Sequence, residues 1–85
     1  MQTYVIRRPG IASTGAELDA ALTRLRAFED KQLARNVQWL RSYALREADG
    51  RFGLTCVFCA DSAQTLAHHA ELTALPADEL ARCRR

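Results

Sequence analysis

Eighty-five residues, close to half of them apolar and about a quarter charged, suffice for one hydrophobic core and not for two. Twelve basic residues against ten acidic ones leave a net charge of +2, too even a balance to mark a nucleic-acid-binding surface. No apolar run approaches the roughly 18 residues of a membrane span, and no basic segment leads into the hydrophobic stretch of a secretory signal.

Three cysteines, an odd count, suit a reducing cytoplasm better than a disulfide scaffold. The expectation is a single cytoplasmic domain, residues 1–85, that engages neither nucleic acid nor a membrane. A chain of this size buries only roughly 60–65% of its unfolded surface, which favours a partner subunit completing the core.

Thr3 to Arg8 is rich in β-branched and aromatic residues and predicts a first strand, ended by Pro9-Gly10. Thr14-Gly15-Ala16-Glu17 has the form of a capping box, a hydroxyl acceptor with a glutamate three residues on. Leu18, Ala21, Leu22, Leu25 and Phe28 then recur at helical spacing, and the helix is expected to reach about Leu33 or Ala34 before Asn36. Val37 to Glu47 and Arg51 to Ala60 read as a hairpin closed by a two-residue type I′ turn at Asp49-Gly50. Asp61 is the expected N-cap of a second helix, with Gln64 reaching back. That helix carries Ala63, Leu66, Ala67, Ala70 and Ala74 on one face and stops at Pro76, before a short strand near Leu80 to Arg82.

The order β-α-β-β-α-β is that of a ferredoxin-like plait, an α+β fold with four antiparallel strands and two helices on one sheet face. With a two-residue turn, Tyr43 pairs with Cys56, Arg41 with Phe58, and Trp39 with Ala60. Trp39, Arg41, Tyr43, Cys56 and Phe58 would then share one face, with Tyr4 joining from the first strand. Leu40, Ser42, Ala44, Thr55, Val57 and Cys59 would pack under the helices. A large aromatic face left in water calls for a cover, and a second copy of the chain is the simplest one. It could equally be the dry core of a dimer or the lining of a pocket between subunits, as in a dimeric α/β barrel.

Cys56-Val57-Phe58-Cys59 matches the C-x-x-C pattern, but three residues apart on a strand the two thiols point to opposite faces. They then satisfy neither a shared zinc ion nor a disulfide. Cys56 alone is a candidate ligand or nucleophile, set against the simpler role of a small buried hydrophobe. Of the pair His68-His69, helical angles put His69 at the margin of the apolar face and His68 in solvent. His69 is therefore the candidate for metal binding or proton transfer.

Taken together, the Tyr-Val-Ile strand, Trp39-Leu40-Arg41-Ser42-Tyr43, Cys56-Val57-Phe58, His69-Ala70 and Leu75-Pro76-Ala77-Asp78 follow a recognisable order. That order resembles a family of short bacterial nickel-binding proteins, otherwise described as a domain of unknown function. The resemblance spans about Thr3 to Leu80 and implies a ferredoxin-like homodimer that binds nickel or another divalent transition metal. Arg41 stands where the family carries a histidine, so Cys56 and His69 are the matching donors, with Tyr43 nearby. The competing expectation is a metal-free enzyme or ligand binder. There, Arg41 holds a small anionic ligand while Tyr43 and His69 move protons, within a pocket lined by Tyr4, Trp39, Arg41, Tyr43 and Phe58.

Overall fold

The computed structural model describes residues 1–30, 36–73, 75, 77 and 79–84. In chain order the elements are β1 (Gln2–Ala12), α1 (Gly15–Asp30), β2 (Val37–Arg46), β3 (Phe52–Ala60), α2 (Ala63–Thr73) and β4 (Glu79–Arg82). The four strands form one antiparallel sheet in the order β2-β3-β1-β4. Ala21 and Leu25 of α1 and Leu66 of α2 share a core with Tyr4, Ile6, Leu54, Cys56, Phe58 and Ala60, so both helices lie on one face of the sheet. This is the ferredoxin-like plait that the element order implies.

The first strand runs further than its sequence suggests. Pro9-Gly10 does not end β1; the register shifts between Arg8 and Ala12, and the strand resumes opposite Phe52. Gly10 takes a φ of 62°, which its missing Cβ permits, and its N–H donates to a carboxylate oxygen of Glu47. The α1 start is a capping box displaced by one residue on its return arm. Glu17 N–H donates to Thr14 Oγ1 at 3.2 Å, and the Glu17 carboxylate accepts from Ser13 N–H at 3.4 Å. The expected end of α1 near Leu33 or Ala34, and the expected stop at Pro76, lie outside the described residues.

The N-cap of α2 is Ser62 and not Asp61. Thr65 N–H donates to Ser62 Oγ at 3.1 Å, while Asp61 is engaged through its own N–H by the Asn36 carbonyl. That backbone bond ties the exit of β3 to the entry of β2.

The hairpin contains the change with the largest consequence. Its turn is three residues long, Ala48-Asp49-Gly50, inside a bonded pair in which Glu47 N–H donates to the Arg51 carbonyl at 2.8 Å. Gly50 N–H closes back on the Glu47 carbonyl at 3.0 Å, and Gly50 takes a φ of 86°. This is a type I turn followed by a left-handed glycine. Asp49 Oδ1 accepts from Arg51 N–H at 2.9 Å, which a two-residue turn would not allow. One extra residue in a turn moves every following side chain of one strand to the other face. Accordingly Ser42, not Tyr43, pairs with Cys56, and Ala44 pairs with Leu54.

A second irregularity between Trp39 and Arg41 adds a further one-residue shift, which returns Trp39 to the face of Phe58 and Cys56 but pairs it with Phe58, and Val37 with Ala60. The expected pairings of Tyr43 with Cys56, Arg41 with Phe58 and Trp39 with Ala60 are thus replaced.

Candidate functional site

The helix-covered face of the sheet carries, in rows across the strands, Trp39, Phe58 and Tyr4, then Ser42, Cys56 and Ile6, then Leu54 and Arg8. Two of these positions are polar and enclosed: Arg8 is 2% exposed and Cys56 is 0% exposed. From α2, His69 is buried at 4% exposure and meets the Phe58 ring edge-on, centroids 6.0 Å apart. His68 points to solvent, where its Nδ1 lies 3.8 Å from the Glu71 carboxylate. The helical split between the two histidines is therefore as expected, with His69 deeper than the margin.

A directed chain of hydrogen bonds ends on the Cys56 sulfur. Trp39 Nε1–H donates to Ser42 Oγ at 2.8 Å, and Ser42 Oγ–H donates to Cys56 Sγ at 2.8 Å. The Arg8 guanidinium is also within hydrogen-bonding and coulombic reach of that sulfur. Burial pushes the Cys56 thiol above its ordinary 9.0, against the opposing pull of Ser42 and Arg8. Burial also lowers the Arg8 pKa from its ordinary value, with Cys56 opposing. His69 falls below its ordinary 6.5, first through burial and then through the charge of Arg8. At neutral pH the cluster is accordingly a protonated thiol, a neutral imidazole and a guanidinium cation. Both Cys56 and His69 feel the same cation, which makes Arg8 the hub of the arrangement.

The residues expected to line one pocket are divided between two faces. Tyr4, Trp39, Cys56, Phe58 and His69 lie on the helix side and pack into or against the core. Arg41 and Tyr43 pair with Val57 and Thr55 on the opposite face, and both are exposed, Tyr43 at 53%. Arg41 cannot hold a ligand beside His69 in this arrangement. The physical reason is the extra turn residue, which rotates this stretch of β2 by one position. Thr55, Val57 and Cys59, expected beneath the helices, lie instead on the face that the helices leave open.

The C-x-x-C pair behaves as strand parity requires. Cys56 is buried under the helices, while Cys59 is half-buried on the open face with Thr3 Oγ1 3.8 Å from its sulfur. Among the described residues, no group of three or more His, Cys, Asp and Glu side chains is placed to hold a metal ion.

Two members of the cluster escape sequence reasoning. Ser42 is assigned to the wrong partner by the turn length. Arg8 passes unnoticed although its position is legible: Tyr4, Ile6 and Arg8 alternate on one face of β1, and the first two are evident core residues. Elsewhere, a hollow at the β1–β4 edge is lined by Met1, Gln2, Thr3, Arg82, Cys83 and Arg84, and contains none of the expected site residues.

No protein-family model matches this chain, and no curated protein matches it. Among solved structures the chain is similar to that of SCO4226 from Streptomyces coelicolor A3(2). The two share 21% sequence identity with a TM-score of 0.73, over 98% of this chain and 96% of the other. At that level of identity the likeness establishes the fold.

Proposed function

We propose that this chain is a small homodimeric metal-binding protein whose ion is held by Cys56 and His69, and that the ion belongs to the transition metals. The observation that carries the reading is the burial of one sulfur and one neutral imidazole, from two different elements, around a common residue. A thiol and an imidazole are the donor types that late transition ions accept, and nickel is the ion that the family resemblance implies. Ser42, bonded to both Trp39 and Cys56, fixes the sulfur from behind, as outer hydrogen bonds orient metal ligands. An ion bound here would tie β3 to α2 and so couple occupancy to folding.

The dimer rests on the open face of the sheet. Val5, Val57, Tyr43 and Leu45 occupy it, the last two more than half exposed, in a chain with little core of its own. A second copy packed sheet to sheet would cover this surface.

The experiment is a thermal melt of metal-free protein with nickel, cobalt, zinc or cuprous ion added at about one equivalent. Stabilisation by at least one of these ions is expected, and its loss in His69→Ala. A melting temperature indifferent to all four would overturn the reading.

A further inference from the structure

We infer that a second copy of the chain covers the open sheet face about a two-fold axis parallel to the strands, so that Arg41 and Tyr43 meet the partner subunit's Glu79. The inference rests on the dimer reading above and deepens it from a covered face to a defined contact between opposite sheet edges.

The register lays the open face out as a grid. Tyr43, Thr55, Arg7 and Glu79 form one row across β2, β3, β1 and β4, and Arg41, Val57, Val5 and Ala81 form the next. Val57 and Val5 thus sit at an apolar middle, and the charges lie toward the edges, the arrangement of an interface core and its rim. At the β4 edge Glu79 lies 3.9 Å from Arg7, and its side chain is still 49% exposed, so the carboxylate is open to a further donor. At the β2 edge Arg41 is exposed, and no carboxylate pairs with it among the described residues.

Symmetry then selects the orientation. A two-fold axis lying between the sheets and across the strands would stack β2 on β2 and β4 on β4. Arg41 would stand near the partner's Arg41 and Glu79 near the partner's Glu79, with like charges meeting at both edges. A two-fold axis along the strands instead carries β2 over the other copy's β4 and leaves each row at its own height. Tyr43 then faces the partner's Glu79, and Arg41 stands one row, roughly 7 Å, along the strand. Val57 falls over the partner's Val5 at the centre. Packed sheets lie about 10 Å apart, a gap that a phenol and a guanidinium span to reach a carboxylate. The interface is isologous, so the contact forms twice.

The test measures the dimer dissociation constant of the full chain by sedimentation. Arg41→Glu and Glu79→Arg should each weaken self-association by about tenfold or more, since like charges then meet twice in every dimer. An equal mixture of the two variants should associate again, because both contacts of the mixed dimer join opposite charges. One chain carrying both substitutions should also recover, and its net charge is that of the unaltered chain, so its recovery reports position and not bulk charge. The milder Arg41→Gln and Glu79→Gln should each weaken association by about threefold, which keeps the contact testable if a charge reversal fails to fold. Substitutions that leave the dissociation constant unmoved overturn the inference. So does a mixture, or a double variant, that stays as weak as the single reversals. An unaltered chain that is monomeric at every concentration overturns the dimer reading itself, a result distinct from a dimer indifferent to these two residues.

Discussion

Ser42 and Cys56 stand opposite one another across the β2–β3 pairing, and the serine hydroxyl donates to the cysteine sulfur at 2.8 Å. Because the same oxygen accepts from the Trp39 indole, it carries polarity from the rim of the core to a fully buried atom. Ser42→Ala removes both bonds at once. A loss of about 1–2 kcal/mol is expected from urea unfolding, since a buried sulfur loses its donor and the indole must find water. The emission of Trp39, the single tryptophan, should change in the folded protein of the same variant.

The thiols should react in an order set by burial. Cys83 is exposed, Cys59 half-buried and Cys56 enclosed, so mass-resolved alkylation should modify Cys83 first, Cys59 next and Cys56 only on unfolding. Mild oxidant should yield no Cys56–Cys59 disulfide within a folded chain, because the two side chains leave β3 on opposite faces. Recovery of that crosslink from native protein would contradict the strand placement.

Stability should fall toward both ends of the pH scale, for two different residues. His69 is held below 6.5, so the unfolded chain takes up a proton that the folded chain refuses. Its contribution is full above about 6.5 and is lost as pH drops through the lower folded value. Cys56 is held above 9.0, so its contribution is present below that value and is lost as pH rises toward the higher folded one. Melting curves from pH 5 to 10 should show a plateau between these limits. His69→Gln should flatten the acid side alone.

Gly53 and Glu47 should be energetically coupled. A Cβ on Gly53 would lie 2.9 Å from the Glu47 carboxyl carbon, and that carboxylate accepts the Gly10 N–H. Gly53→Ala should cost about 1 kcal/mol, the worth of the Gly10 N–H bond lost when the Glu47 carboxylate moves aside. Glu47→Ala should absorb part of that cost. A double-mutant cycle giving simple additivity would show that the two side chains do not compete for the space.

Charge placed on the open sheet face should separate the subunits of a dimer without unfolding the chain. Leu45→Asp and Tyr43→Glu both alter exposed positions, so the folded monomer should survive with little change in its own stability. Sedimentation should report twice the chain mass for the unaltered protein and a single chain for the double variant.

Much of the architecture is legible from local chemistry: the strand at Tyr4-Val5-Ile6, the Thr14–Glu17 box and the leucine periodicity of α1 each act over a few residues. The same holds for His69, whose angle relative to Leu66 is fixed by the helix alone. The face assigned to Arg41 and Tyr43 was not accessible in that way, because it depends on counting through a turn. Asp49-Gly50 accommodates either a two-residue or a three-residue loop, and the side chain of Asp49 bonding to Arg51 N–H decides between them. Arg8 is hidden for another reason. A long cationic side chain next to Arg7 reads as one solvated pair, although strand alternation sends only Arg7 outward, where it lies 3.9 Å from Glu79.

The two irregularities of β2 make this strand a ruler with a slipped section. Between the bulge near Leu40 and the turn at Ala48-Asp49-Gly50, the chain presents the opposite set of side chains from the one it would present with neither. Deleting Ala48 alone would bring Tyr43 and Arg41 inward and turn Ser42 out, without altering a single residue of the interior. For this hairpin, the length of an exposed turn is therefore a heritable variable that selects what lines the core. Relatives compared letter by letter could keep identical cysteines while surrounding them with different chemistry.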